Sequence, residues 1–296
     1  MTKFLLFIFI LITKASFCQT GIIKDSITND PIPYVNIWFE NENIGTTSEE
    51  NGKFNLPIFK NDKYLIFSAI GYKTKRVNTS LTNYDIKLIP NVTELSEIVL
   101  NIKKQTLQTI IGQINKSQIN FYFGCGLKPW ITARFFKFNE NYKETPFLKT
   151  IQFLTRSDIK DSKFNVRLYS VNEKGEPENY IYDQNIFGIA KKGKKITEID
   201  ISNLNIQFPE NGFFIAVEWL IIDQNKYENK SLQENSKKKY NRISYEPAFG
   251  IEPSESNENS WIFNQGKWQK IWKHRANSKN YIDKYDLLTL ELTLTD

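Results

Sequence analysis

A single histidine, His274, two cysteines and one methionine are all that 296 residues contain of those types. That scarcity removes much metal and nucleophile chemistry. A zinc site needs three or four ligands, most often Cys and His, and His274 and Cys125 stand far apart in the sequence. A Ser-His-Asp triad would have to use His274, in KWQKIWKHRANSK. No Gly-x-Ser-x-Gly elbow supplies its serine, so His274 reads as a surface or loop residue. No Asp-x-Asp-x-Asp-Gly loop offers a calcium cage. No repeat of fixed period is evident, and no apolar run is long enough to span a bilayer.

The longest apolar run, Phe4 to Ile12, follows a basic start at Lys3. Residues 1–18 read as a secretory signal peptide, with Ser16 and Cys18 as the small residues of a cleavage site that leaves Gln19 first. The rival reading makes Cys18 a lipidated anchor; the bulky Phe17 just before it argues against this. The expected location is therefore outside the cytoplasm, in the periplasm or at the outer membrane. Cleavage at that point leaves Cys125 alone, so no intrachain disulfide is expected. Cys125, between two glycines in FYFGCGLKPW, reads as a small buried hydrophobe.

The formal charge is +6, and Lys3 and Lys14 lie in the segment expected to be removed. The clusters Lys191-Lys192-Gly193-Lys194-Lys195 and Lys237-Lys238-Lys239 come with no nucleic-acid-binding motif. They read as solvated loops, and nucleic acid is not an expected partner.

What is present is β material. Apolar residues make up 40% and aromatics 14% of the chain, including 22 Phe, 14 Tyr and 6 Trp. Such residues suit a pleated, half-buried surface. Between residues 20 and 100 the runs TGIIKD, PYVNIWF, GKFNLPIF, DKYLIFSAI, YKTKRV, YDIKLI and LSEIVL predict about seven strands. In PYVNIWF, Val35, Ile37 and Phe39 point to one face, and Tyr34, Asn36 and Trp38 to the other. The polar insert from Asn41 to Gly52 is expected to be an exposed link, with Asn51-Gly52 as its turn signal.

The stretch GIIKDSITNDPIPYVNIWFENENIGTTSEENGKFNL, with DKYLIFSAIGYKTKRV and YDIKLIPNVTELSEIVL after it, resembles the carboxypeptidase-like regulatory domain of Bacteroidota. The resemblance covers residues 19–100 and implies a seven-stranded, transthyretin-like (Ig-like) β-sandwich. The same module precedes the plug of TonB-dependent outer-membrane transporters. Too few residues follow here for a plug and a barrel, so a transporter is not expected. The zinc ligands of the peptidase that gives the family its name are absent.

Residues 101–120 contain Leu107, Ile110, Ile111 and Ile114 at helical spacing, which predicts a short helical linker. Residues 121–296 return to strand patterns: WITARFFKF, FLKTIQFLT, KFNVRLYSV, ITEIDIS, GFFIAVEWLII, SWIFN, KWQKIW and LLTLELTLT. This half is similar to a jelly-roll-like β domain that follows the regulatory module in uncharacterised proteins. The fold class expected is all-β, two sandwiches joined by a short helical linker.

For chemistry, Glu49, Glu50, Glu218, Asp223, Glu246 and Glu252 are the carboxylates available for a glycosidase-like pair. Glu218, inside FFIAVEWLII, is expected instead to sit partly buried beside a cation on another strand, such as Arg167. Trp261, Trp268 and Trp272 in SWIFNQGKWQKIW are the weak candidates for ligand binding, as stacking surfaces for a sugar ring or as core. Of these, Trp261 suggests core and Trp272 suggests exposure. No cofactor or metal is expected. The function expected is non-catalytic binding or scaffolding in the cell envelope, with a protein or polysaccharide partner; the alternative is a carboxylate-based hydrolase acting on a glycan.

Overall fold

The computed structural model describes residues 18–42, 44–57, 63–79, 83–91, 106–232, 239–275 and 278–296. The signal-peptide stretch before Cys18, the LSEIVL run and the start of the linker lie outside them. Nearly all regular structure is β, with only short 3-10 turns besides.

Seven strands lie in the first part of the chain: β1 (Cys18–Asp25), β2 (Asn36–Phe39), β3 (Gly45–Thr47), β4 (Lys53–Pro57), β5 (Tyr64–Ser68), β6 (Lys75–Asn78) and β7 (Asn83–Leu88). They form two sheets, ordered β4-β1-β7 and β3-β2-β5-β6. β1 and β7 run parallel. Side-chain alternation sends Val35, Ile37 and Phe39 inward to meet Phe54, Leu56, Leu65 and Phe67 in one buried cluster. β3 corrects the reading of residues 41–52 as an exposed link. Its Gly45-Thr46-Thr47 pairs with β2, and Gly45 and Thr47 are buried. Polar threonines disguised a strand that is covered by the second domain.

Within the segment expected to be a helical linker, residues 108–111 form a strand. β8 (Gln108–Ile111) pairs antiparallel with the last strand of the chain. Thr109, Ile110 and Ile111 are β-branched and favour extended backbone. Leu107 and Ile110 are 52% and 61% exposed, so the helical spacing marked no buried face.

The rest comprises β9 (Phe121–Cys125), β10 (Ile131–Phe136), β11 (Phe147–Ser157), β12 (Ser162–Val171), β13 (Pro177–Tyr180), β14 (Ile186–Ala190), β15 (Gly193–Asp200), β16 (Phe213–Trp219), β17 (Lys226–Leu232), β18 (Lys239–Ser254), β19 (Ser260–Asn264), β20 (Lys267–Lys270), β21 (Tyr285–Leu288) and β22 (Leu290–Thr295). One sheet has seven strands, ordered β13-β12-β16-β10-β19-β20 with β14 added to β12. The other has eight, ordered β17-β18-β11-β22-β8 with β15, β21 and β9 attached. Between them lies a large apolar core, with Phe153, Phe164 and Phe249 packed edge to face. Cys125 is buried in it as a free thiol, and burial pushes its pKa up.

Every residue of β16 is buried. Phe213, Ile215, Val217 and Trp219 face the main core. Phe214, Ala216 and Glu218 face the other way, where Phe214 and Ala216 join a second apolar cluster with Tyr169 and Trp261. The seven-stranded sheet curls around that cluster. Tyr169 on β12 and Trp268 on β20 meet at 5.2 Å although β16, β10 and β19 lie between their strands in the sheet order.

Candidate functional site

The first sandwich docks beside this curled face through β3. Ile221 N donates to Thr47 Oγ1 at 3.0 Å and Thr47 N donates to Ile221 O at 3.3 Å. Asp223 N donates to Glu49 Oε1 at 2.8 Å. Tyr34 packs on Leu220 and Ile222 and accepts from Lys163 Nζ at 2.9 Å. Gly45 is required at this seam: a Cβ there would strike Ile37 O of its own sheet and come within 2.7 Å of Pro129 Cγ across the seam.

At the centre of the seam a polar chain crosses between the sandwiches. Asn36 Nδ2 donates to Glu218 Oε1. Glu218 Oε2 accepts from Arg167 Nε at 2.8 Å and stands 2.7 Å from Arg167 Nη2. Arg167 Nη1 donates to Asn185 Oδ1 at 2.8 Å. The pairing expected for Glu218 is thus present, and the side chains of the two ions are only 3% and 5% exposed. Burial works against the Arg167 charge, but Glu218 with the Tyr180 and Tyr169 hydroxyls outweighs it and keeps the guanidinium pKa raised. Burial first, then the neighbouring Tyr180 and Glu218, raises the Tyr169 phenol far above its ordinary range. Both remain in their ordinary protonation states, and both Glu218 oxygens are engaged.

Around this pair the seam opens into adjoining cavities. The central one, of about 220 Å³, is walled by Trp38, Tyr72, Tyr169, Tyr180, Phe263 and Trp268, with Asn36, Thr74, Glu178 and Glu218 supplying polar groups. A narrow extension of about 30 Å³ reaches Trp130 and Trp219, whose rings stack at 4.6 Å. A wider cavity of about 580 Å³ continues past Tyr72 to Asp25, Asp30 and Asp183. The central cavity shares Asn36, Trp38, Ile131, Glu218 and Phe263 with the first neighbour, and Ala69 and Tyr72 with the second. Together they form a groove along the domain seam. Tyr72 donates to Asp25 Oδ2 at 3.0 Å, and burial and that carboxylate push its pKa up to about 12.

The three tryptophans named from the sequence occupy different places. Trp268 is half-buried and lines the groove. Trp261 is 5% exposed in the curled cluster, and its indole Nε1 is buried without a hydrogen-bond partner among the described residues. Trp272 is 45% exposed, and it lines a separate cleft with Phe121, Trp130 and His274. Tyr169, Tyr180, Trp38 and Tyr72 were missed; the only sequence signal was that Trp38 and Asn36 share the outward face of β2.

His274 is corrected. Its backbone is in a loop, but its ring is inside, with the side chain 7% exposed and Nδ1 2.6 Å from Asp286 Oδ1. The ring packs edge-on to Phe121 at 4.4 Å and against Tyr281 at 4.8 Å. Nε2 is buried with no hydrogen-bond partner among the described residues. Burial raises the Asp286 pKa, and the contact with His274 opposes that rise.

The other carboxylates fall into separate environments. Glu252 pairs with Arg134 Nη1 at 2.8 Å; burial raises its pKa and Arg134 opposes this. Burial, with Asp158 nearby, raises Glu246. Glu49 is raised by burial and lies close to Asp223, but neither lines the groove. Glu50 is exposed. No group of three or more His, Cys, Asp or Glu among the described residues is placed to hold a metal ion. No helix among them is long and apolar enough to cross a membrane.

Residues 19–100 match the CarboxypepD_reg-like domain family. The match ends before the groove's second wall, and the regulatory-like domain is a non-catalytic module. No curated protein matches the chain. Among solved structures, the cysteine protease and lectin-like domains of Cwp84, a surface layer associated protein of Clostridium difficile, are similar at 14% identity over 56% of this chain and 32% of that one, with a TM-score of 0.34. A second Cwp84 structure, after propeptide cleavage, gives 12% identity over 85% and 51%, with a TM-score of 0.35. A structure of infectious bursal disease virus gives 8% identity over 94% and 58%, with a TM-score of 0.24. The chain spans about a third to just over half of these structures' own lengths.

Proposed function

We propose that this is an exported, non-catalytic binding protein of a Bacteroidota cell envelope, located in the periplasm or at the outer membrane, and that it takes a polysaccharide in the groove between the regulatory-like domain and the second sandwich. The carrying observation is the central cavity, where Trp38, Tyr180 and Trp268 surround Asn36, Thr74 and Glu178. Aromatic faces stack on sugar rings, and a few fixed polar groups orient hydroxyls. The basic start and short apolar run at the N-terminus support export.

In the central cavity, whose two carboxylates are Glu178 and Glu218, binding is favoured over hydrolysis by the state of Glu218. A glycosidase needs two free carboxyl groups about 5–10 Å apart, one of them able to donate a proton. Both Glu218 oxygens accept hydrogen bonds, and Arg167 sits against one of them. The test is a glycan array followed by calorimetry on the best oligosaccharide, comparing Trp268→Ala with Trp272→Ala. Trp268→Ala is expected to weaken binding at least about tenfold, a loss of about 1.4 kcal/mol, while Trp272→Ala binds as the parent does. A parent protein that binds nothing, or a Trp272→Ala variant that alone loses binding, removes the groove reading.

A further inference from the structure

The groove's charge goes beyond the reading just given and rests on it. Six carboxylates line the adjoining cavities: Asp25, Asp30, Glu42, Glu178, Asp183 and Glu218. No Lys, Arg or His does. This is the reverse of the chain as a whole, whose formal charge is +6. Two of the six are neutralised, Glu42 by Lys63 at 2.5 Å and Glu218 by Arg167. The other four make no ion pair among the described residues. Asp25 is held as an anion: the Ile27 and Thr28 backbone amides that donate to it keep its pKa below the usual range. Glu178, Asp183 and Asp30 are exposed to the groove's solvent.

These anions alternate with π faces. Tyr72 bonds to Asp25, and Tyr180 is on the same short strand as Glu178. A carboxylate beside an aromatic face attracts an ammonium group twice, through charge and through the ring quadrupole. A carboxylated polymer meets only repulsion there. We infer that the groove selects a polysaccharide of amino sugars with free amino groups, over neutral and acidic glycans. The ammonium groups pair with Asp30, Glu178 and Asp183, the rings stack on Tyr180 and Trp268, and Asp25, whose oxygens are taken by Ile27, Thr28 and Tyr72, adds only its charge.

The test is calorimetry on the parent protein with four probes of equal length: a glucosamine hexamer, its N-acetylated form, a galacturonate hexamer and hexalysine. An exposed ion pair changes affinity only about 1.4- to 5-fold, so several together give the glucosamine hexamer an advantage of roughly tenfold or more over the N-acetylated form at low salt. The advantage shrinks at 1 M salt, where the screening length is about 3 Å. The double variant Glu178→Gln/Asp183→Asn, at exposed positions, keeps the parent's melting temperature and loses most of the preference. If the N-acetylated or galacturonate hexamer binds as well as the glucosamine hexamer, and Trp268→Ala abolishes that binding, the charge inference is overturned while the groove reading stands. If none of the four binds while the glycan array shows a Trp268-dependent ligand, the amino-sugar inference is overturned and the groove reading stands; if the array is also empty, both fall. If hexalysine binds most tightly, the groove is cation-selective but its ligand is a basic peptide, and the amino-sugar assignment is overturned.

Discussion

Removing Glu218 alone tests the geometry under the groove. Glu218→Ala leaves the Arg167 guanidinium, with a side chain 3% exposed, facing only Asn185 and the tyrosines. Breaking a buried pair by deleting one partner costs about 3–5 kcal/mol, because the other charge stays in the interior uncompensated. Arg167→Met leaves Glu218 with Asn36 alone and is expected to cost a similar amount. The double variant Arg167→Met/Glu218→Leu removes both charges and fills the space, and apolar replacement of a whole pair is often neutral or stabilising. The double is therefore expected to be within about 1 kcal/mol of the parent, with a coupling energy of several kcal/mol between the two sites. Urea denaturation gives each value. In a domain of this size each kcal/mol shifts Tm by about 2–4 °C, so the single variants fall by roughly 6–20 °C. Two single variants that each cost less than about 1 kcal/mol and simply add would refute the reasoning. They would mean that water reaches the pair and that the first sandwich does not seal the curled face.

Three further outcomes follow from the same packing. Trp261→Ala, at a 5% exposed position against Phe214, should cost about 3–5 kcal/mol in a denaturation curve, while Trp272→Ala at a 45% exposed position should cost less than about 1 kcal/mol. Gly45→Val should lower the stability of the first sandwich, because its Cβ strikes Ile37 O of that sheet, and loosen the seam at Pro129, so that the first sandwich melts in an earlier, separate transition; a single unshifted transition counts against the docking. Burial raises the Glu246 pKa in the folded state, so its contribution to stability is present at acid pH and is lost as pH rises through that folded value. Glu246→Gln should then melt above the parent at pH 7, with the gain fading as pH falls through the carboxylate range near 4–5; a gain that grows in acid reverses the assigned sign.

Much of the fold was legible because alternation is a local signal. Ile37 and Phe39 on one face, and the apolar run of β16, were visible as strands in the sequence and are strands in the structure. The Arg167–Glu218 pair was legible too, since a carboxylate inside FFIAVEWLII has to find a cation. What failed was local pattern without a local cause. The long strand β18 carries Pro247, Gly250 and Pro253, all poor strand residues, and it holds together by changing partners along its length from β17 to β11 to β21. β8 mimicked helical spacing by coincidence. Thr46 and Thr47 read as a wet turn because their burial comes from another domain. The groove was invisible for the same reason: Trp38 and Asn36 are more than a hundred residues from Tyr180, Glu218 and Trp268, and only the docking of two sandwiches brings them to one cavity.

The account stands or falls on whether the seam is where ligand sits. Thr74 is exposed and lines the central cavity. In a chain beginning at Gln19, Thr74→Cys offers a maleimide one accessible thiol, because Cys125 is buried and burial holds it protonated. Calorimetry with the best oligosaccharide, before and after attaching a pyrene maleimide, is the direct measurement. The account predicts normal binding before labelling and at least about a tenfold loss after it, with Tm unchanged. Binding that is equally tight with the pyrene in place would contradict it.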